Sequence, residues 1–382
     1  MKDLFQLDPS LVFLNHGSFG ACPVEVLEAR QGWEREMERN PVAFLGRRSA
    51  ELLGQARASL AEYLGASPEH LVYVSNATGG VNIVARSLAL SPGDEILTTN
   101  HEYGACDFTW AFVCGRTGSR YIPVEIPLPF TSETFTERLW AAVTPRTRVI
   151  YLSHITSTTA LIFPLAEICR RARQAGILTL IDGAHAPGQI PLNLDELGAD
   201  FYVGNCHKWL CAPKGAAFLH ARPEHHALLD APVVSWGYSP DLAGHAPYAG
   251  MTTLERRLQW LGTRDLSAFL SVPAAIAFQE RHDWAAVRAR CHDLVAETLV
   301  RISAMTGLAP VCQEGDFGQM VVIPVPPMDA NRLKETLFEG FRIEIPVTSH
   351  RDRLFVRISM QGYNTQEDAE ALVNAIKEIY LG

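Results

Sequence analysis

Three short stretches of the chain carry side chains suited to imine chemistry. The first is Asn205-Cys206-His207-Lys208-Trp209-Leu210. A lysine is ordinarily a solvated surface charge. Lys208 is instead flanked by apolar and aromatic residues, which would desolvate it and lower its pKa. An imine-forming amine requires that shift. The second stretch is Asp182-Gly183-Ala184-His185-Ala186-Pro187-Gly188. Taken alone, Asp182 reads as a helix cap or turn former. The third is Ser75-Asn76-Ala77-Thr78-Gly79-Gly80, ahead of a helical run over 81–90. Small residues at a strand-to-helix turn let backbone N–H groups approach an anion whose charge the helix dipole favours. Thr78 adds a hydroxyl, although a glycine pair serves a purely structural turn equally well.

The elements that would position these residues follow from the hydrophobic pattern. Apolar, strand-like runs occupy 71–74, 95–99, 148–152, 177–181, 201–204 and 216–219. Amphipathic stretches such as 165–175 lie between them. Such alternation predicts a mostly parallel, doubly wound α/β sheet covered on both faces. After about residue 255 the pattern changes. A helical segment over 266–303 precedes strand-like runs at 319–325 and 354–359, with helices near 330–339 and 365–380. We therefore expect an N-terminal segment at the active site over 1–20, a large α/β domain over 21–255 and a smaller α+β domain over 256–382.

All three stretches fall at predicted carboxyl ends of strands, where open α/β sheets bind ligands. Together they suit pyridoxal 5'-phosphate (PLP). Lys208 would carry the cofactor and then shuttle protons, Asp182 would stabilise the protonated pyridine nitrogen, and the turn would hold the phosphate.

At this point the sequence resembles the class V aminotransferase family of fold-type I PLP enzymes. The resemblance rests on Asp182-Gly183-Ala184-His185 followed by His207-Lys208-Trp209. Asn15-His16-Gly17-Ser18-Phe19-Gly20, Asn76-Ala77-Thr78, His101-Glu102-Tyr103-Gly104-Ala105 and the run 204–215 resemble the branch of isopenicillin-N epimerases and hercynylcysteine sulfoxide lyases. The resemblance implies that Tyr103 stacks on the pyridine and that His185 contacts its phenolic oxygen. It implies that Ala77, Thr78, Asn205 and His207 line the phosphate. Thr263, in Trp260-Leu261-Gly262-Thr263-Arg264-Asp265, would complete the phosphate site of a neighbouring subunit in a homodimer. Arg357 would bind the substrate carboxylate, because its fork matches two oxygens. Many relatives carry an Asn where this chain has Ser157, whose hydroxyl can still reach the ring oxygen. Asn15, His16 and Phe19 either face the substrate or form a turn with Gly17 and Gly20. Arg47 and Arg48 read as a solvated helix face.

Other function classes are disfavoured. The chain has 382 residues, is 47% hydrophobic and carries a net charge of −9 without basic clusters. That argues against nucleic acid and anionic membranes as partners. No run approaches a membrane span, and we expect a cytoplasmic protein. The eight cysteines read as free thiols. Cys206, His207 and Cys211 offer too few ligands for a metal, so no metal is expected. No GxGxxG follows the first strand, which argues against a dinucleotide-dependent dehydrogenase. A recruited binding module would be expected to lose Lys208 or Asp182. Transamination, epimerisation and β-elimination all follow from one Cα carbanion. No cysteine lies between Cys312 and Arg357, which disfavours desulfuration through a persulfide. The leading expectation is a C–S β-lyase acting on a cysteine derivative, with Tyr103 as acid toward the leaving sulfur. Epimerase and class V aminotransferase activities are the alternatives.

Overall fold

A computed structural model of the chain describes residues 1–245 and 248–382. Helices α1 (Val24–Arg39) and α2 (Ser49–Leu64) precede the large sheet. The sheet and its connections then run β1 (Leu71–Val74), α3 (Ala77–Ser87), β2 (Glu95–Thr99), α4 (Gly104–Thr117), β3 (Arg120–Val124), β4 (Thr147–Ser153), α5 (Ala166–Ala175), β5 (Leu178–Gly183), β6 (Phe201–Asn205) and β7 (Ala217–Ala221). The order across the sheet is β1-β7-β6-β5-β4-β2-β3, with β7 antiparallel to both its neighbours and the other pairings parallel.

The apolar runs are continuous because both sheet faces are covered. In β4, Ile150 and Leu152 enter one core while Val149 and Tyr151 enter the other. Neighbouring strands repeat that alternation, with Tyr202 and Phe218 on one side and Val203 and Leu219 on the other. The sequence pattern did not reveal β3. Its residues are exposed or half-buried and Pro123 interrupts it, which an edge strand tolerates because one side of its ladder is unpaired.

The chain continues through α6 (Val272–Arg281) and α7 (Trp284–Thr306) to a second, antiparallel sheet. This sheet holds β8 (Met320–Val325), β9 (Val347–His350) and β10 (Arg353–Ser359) in the order β9-β10-β8, and α8 (Gln366–Leu381) closes the chain. The single helix expected over 266–303 is broken between α6 and α7. Asp283 adopts a positive φ of 44° there, and its side chain accepts from the Ala286 N–H to start the new helix. The N-terminal strand Val12–Phe13 pairs in parallel with Ile343–Glu344, and Asn15 bridges Ser359. The N-terminal segment thereby joins the C-terminal sheet. No helix among the described residues is long and apolar enough to cross a membrane.

Candidate active site

Strands β4, β5 and β6 end side by side, and the turns that follow them enclose a cavity of about 410 Å³. Its lining includes Thr78, Tyr103, Ser157, Asp182, His185 and Lys208. Ala77, Asn205, His207 and Phe19 also border it. These residues span more than a hundred positions of sequence and, Phe19 apart, meet because parallel strands share one carboxyl end.

Lys208 Nζ lies 3.0 Å from His185 Nε2. On the other side of that ring, the Trp209 indole N–H donates to His185 Nδ1 at 3.2 Å. An indole nitrogen can only donate, so Nδ1 accepts and the neutral imidazole carries its proton on Nε2. Burial, and then the charge of Lys208, keeps His185 well below the ordinary histidine value and therefore neutral. A proton on Nε2 can be received by Lys208 only if the amine is neutral. Burial first, and repulsion from Arg357 second, lower Lys208 to about 7, against the opposing attraction of Asp182. The hydrogen bonds and the electrostatics thus both hold a nucleophilic amine.

Asp182, at the end of β5, is almost fully buried. It receives the Ala184 N–H at 2.9 Å, the Tyr151 hydroxyl at 3.3 Å and the Cys106 thiol at 3.7 Å. Burial raises its pKa against these donors and against Lys208. No salt bridge reaches it among the described residues. The carboxylate therefore has room for a cationic N–H donor, which a protonated pyridine supplies.

Helix α3 starts at the cavity, with Asn76 capping it by accepting from the Gly79 N–H at 2.7 Å. Asn205 Oδ1 accepts from the Ala77 N–H at 2.8 Å, and the cavity is lined by both Asn205 and Ala77. The Ala77 amide is committed to Asn205, leaving Thr78 and the helix start to meet an anion. His207 donates to the Ala216 carbonyl at 3.1 Å and is lowered to about 4, by burial first and by Lys208 second. An anion beside the ring would act against that shift.

Arg357, in the middle of β10, is buried. Its Nη1 donates to the Ser157 carbonyl at 2.6 Å and to the Ser157 hydroxyl at 3.2 Å, and its Nη2 donates to Ser18 Oγ at 3.0 Å. The Nε–H is buried without a partner among the described residues. Burial lowers this guanidinium to about 10. A buried cation whose partners are all neutral is costly to hold, and a substrate carboxylate would relieve it. Ser157 faces the cavity, but its hydroxyl is engaged by Arg357.

The N-terminal residues require correction. His16 is fully buried and does not line the cavity. Its Nε2 meets the Lys208 carbonyl at 3.0 Å and its Nδ1 meets the Tyr363 hydroxyl at 3.0 Å. It clamps the backbone of the lysine instead of facing substrate. Gly20, at φ 71°, permits this approach, because a Cβ there would collide with the His207 carbonyl and the Lys208 backbone. Asn15 is also absent from the lining. It accepts from the Ser18 hydroxyl at 2.5 Å, and so reaches Arg357 only through Ser18. Phe19 does line the cavity and is largely exposed. Thr263 is exposed and lies outside the lining.

Several residues around the cavity escaped the sequence reading. Glu102 is buried and accepts from Thr99 Oγ1 at 2.6 Å, Ser153 N at 2.8 Å and Ser153 Oγ at 2.6 Å. Burial, with Asp182 adding to it, lifts its pKa to about 7 against those hydrogen bonds. It pins Ser153, which lines the cavity. A Glu between His101 and Tyr103 directly after a strand was the available signal. Lys214 also lines the cavity, as a second lysine at its edge.

An activated buried amine, a buried carboxylate with room for a pyridinium and a helix start around one cavity, with the Arg357 guanidinium behind its lining residues Ser18 and Ser157, fit pyridoxal phosphate and an amino acid. The surrounding sheet is that of the fold-type I PLP enzymes. The class V aminotransferase model matches residues 13–372, and the chain belongs to that family. It is 40% identical to the isopenicillin N epimerase of Amycolatopsis lactamdurans over 390 residues, covering 99% of this chain and 97% of the relative. It is 28% identical to an L-cysteine desulfhydrase of Arabidopsis thaliana over 416 residues, covering 96% of this chain and 87% of the relative. A solved C-DES variant with glycine covalently linked to its PLP cofactor matches with a TM-score of 0.83 at 22% identity, covering 98% of each chain. That last likeness shows the fold. The chain is therefore a PLP-dependent enzyme of the class V family.

Proposed function

We propose that the enzyme is a C–S β-lyase acting on a small cysteine derivative. The observation that carries this reading is the cavity. At about 410 Å³ it must hold cofactor and substrate together, which places it near the lower end of ligand sites and favours a compact amino acid. When bound, PLP supplies an electron sink for a carbanion at the substrate Cα.

The chain's own residues would do the rest. Arg357 binds the substrate carboxylate and orients Cα. Lys208, poised near neutrality, takes the Cα proton. Tyr103, half-exposed at the cavity, donates a proton to the departing sulfur. The balanced reaction converts the cysteine conjugate and water to pyruvate, ammonia and a thiol. No cysteine is among the residues lining the cavity, which supports a lyase in preference to a desulfurase that must carry a persulfide. The same reading has Thr263 completing the phosphate site of a second copy in a homodimer.

Epimerisation is the second reading, supported by the 40% identity to an isopenicillin N epimerase across nearly the whole chain. Holoenzyme incubated in D₂O with S-substituted L-cysteines separates the two. Pyruvate and thiol in equal amounts are the expected outcome. A D-enantiomer labelled at Cα without pyruvate would replace the lyase reading with the epimerase.

A further inference from the structure

The far end of the large sheet holds a second cluster of reactive side chains. His220 on β7 pairs across the sheet with Tyr202 and with Leu71, whereas the cavity residue Asn205 pairs with Ala217. Three residues of strand, roughly 10 Å, therefore separate the two ends. At that end the turn Pro68–His70, the short helix Leu194–Leu197 and β7 converge. His70, Asp195 and His220 each present a donor atom there, and those atoms lie within 4.8 Å of one another.

His220 is 2% exposed, and neither ring nitrogen has a hydrogen-bond partner among the described residues. A neutral imidazole owns one donor and one acceptor, so both of its polar functions are buried and unmet. The nearest carboxylate oxygen, Asp195 Oδ1, stands 3.9 Å from Nε2, too far for a hydrogen bond. Two imidazoles and a carboxylate around a buried, open lone pair make the donor set of a borderline divalent cation.

We infer that His70, Asp195 and His220 form a Zn²⁺ site separate from the catalytic cavity, with water completing a tetrahedral set. Zinc bonds of this kind separate their donors by about 3.3 Å, so the cluster must contract on binding. The exposed Asp195 and the half-buried His70 can move inward on the fixed His220. The ion would tie three segments together where the Asp195 N–H already donates to the Gly65 carbonyl just past α2 and the His70 and His220 rings meet edge to face at 5.9 Å. Its effect is on stability, by binding the folded state alone.

The test uses untagged holoenzyme treated with EDTA, then titrated with Zn²⁺ in equilibrium dialysis with metal counting. Wild type should bind one equivalent that His70→Ala and Asp195→Ala each weaken at least tenfold. The PLP absorption band and turnover should stay unchanged in both variants, which also shows that they fold. Zinc should raise the Tm of wild type and not that of the variants. X-ray absorption at the zinc edge should report two imidazoles. No binding by wild type, equal binding by all three proteins, or a sulfur-dominated coordination shell would each overturn the site.

Discussion

Asp182 and Asp200 are both buried aspartates of the large sheet, one at the carboxyl end of β5 and the other just ahead of β6. Asp200 accepts from Thr179 N at 2.8 Å, Thr179 Oγ1 at 2.9 Å and His225 Nε2 at 2.9 Å, with Arg222 beside it. Burial alone would raise its pKa, but these partners outweigh that and leave it lowered. Asp182 is the more deeply desolvated of the two and has weaker donors, and its pKa is raised. The saturated carboxylate holds the sheet and loop together, whereas the unsaturated one has capacity for a ligand. Burial by itself does not distinguish structure from chemistry, but the completeness of the partner set does.

The comparison is most open to attack at Lys208. Lys208→Ala should lose the borohydride-fixable adduct and lower turnover by about 10⁴-fold, because the nucleophile and proton carrier are removed together. Lys214→Ala, at the edge of the same cavity, should retain the adduct. Persistence of the adduct in Lys208→Ala but not in the double variant would transfer the role to Lys214.

Asp182→Asn should reduce kcat by about 10³-fold while leaving urea unfolding nearly unchanged. Asp200→Asn should reverse this. Its turnover should stay within about twofold, while stability falls by about 2 kcal/mol, the order expected for charge-assisted hydrogen bonds. Because the Asp200 pKa is lowered in the fold, its stabilisation is full above the unfolded carboxylate pKa and is lost as pH falls through the folded value. Asp200→Asn should therefore flatten the acid limb of stability against pH. Equal effects of the two variants on turnover would break the contrast.

A subtler check concerns pH. The Lys208 amine attacks only when neutral, and half of it is neutral at about 7. Adduct formation between apoenzyme and PLP, followed by stopped-flow absorbance, should level off above about pH 8 and fall toward tenfold per unit below about pH 6. A midpoint near the ordinary lysine value would remove the claim of desolvation. The smallest effect belongs to Trp209→Phe, which deletes the donor that orients His185. A rate loss of about fivefold, equivalent to about 1 kcal/mol, is expected together with a displaced pH midpoint. Loss of stability with an unmoved pH profile would reduce Trp209 to packing.

The residues legible in the sequence were those whose role is local. Asp182, Lys208 and Thr78 each lie within four residues of the end of an apolar run, so strand direction alone brings them to one end of the sheet. Tyr103 and Ser157 entered through resemblance, and both line the cavity. His16 and Asn15 misled because a conspicuous motif does not state which way its side chains turn. Glu102 and Trp209 stood inside quoted motifs, yet their roles depend on partners many positions away.

The order of apolar runs and turns, a property of the chain's own period and breakers, was enough to determine a doubly wound sheet with its chemistry at the strand ends. The state of each group was left to the tertiary structure. Hydrogen-bond saturation, desolvation and tautomer depend on atoms that meet only after folding. The lowered pKa of the Lys208 amine, the Arg357 guanidinium with only neutral partners and the His70–Asp195–His220 cluster are therefore properties of the fold and not of any segment.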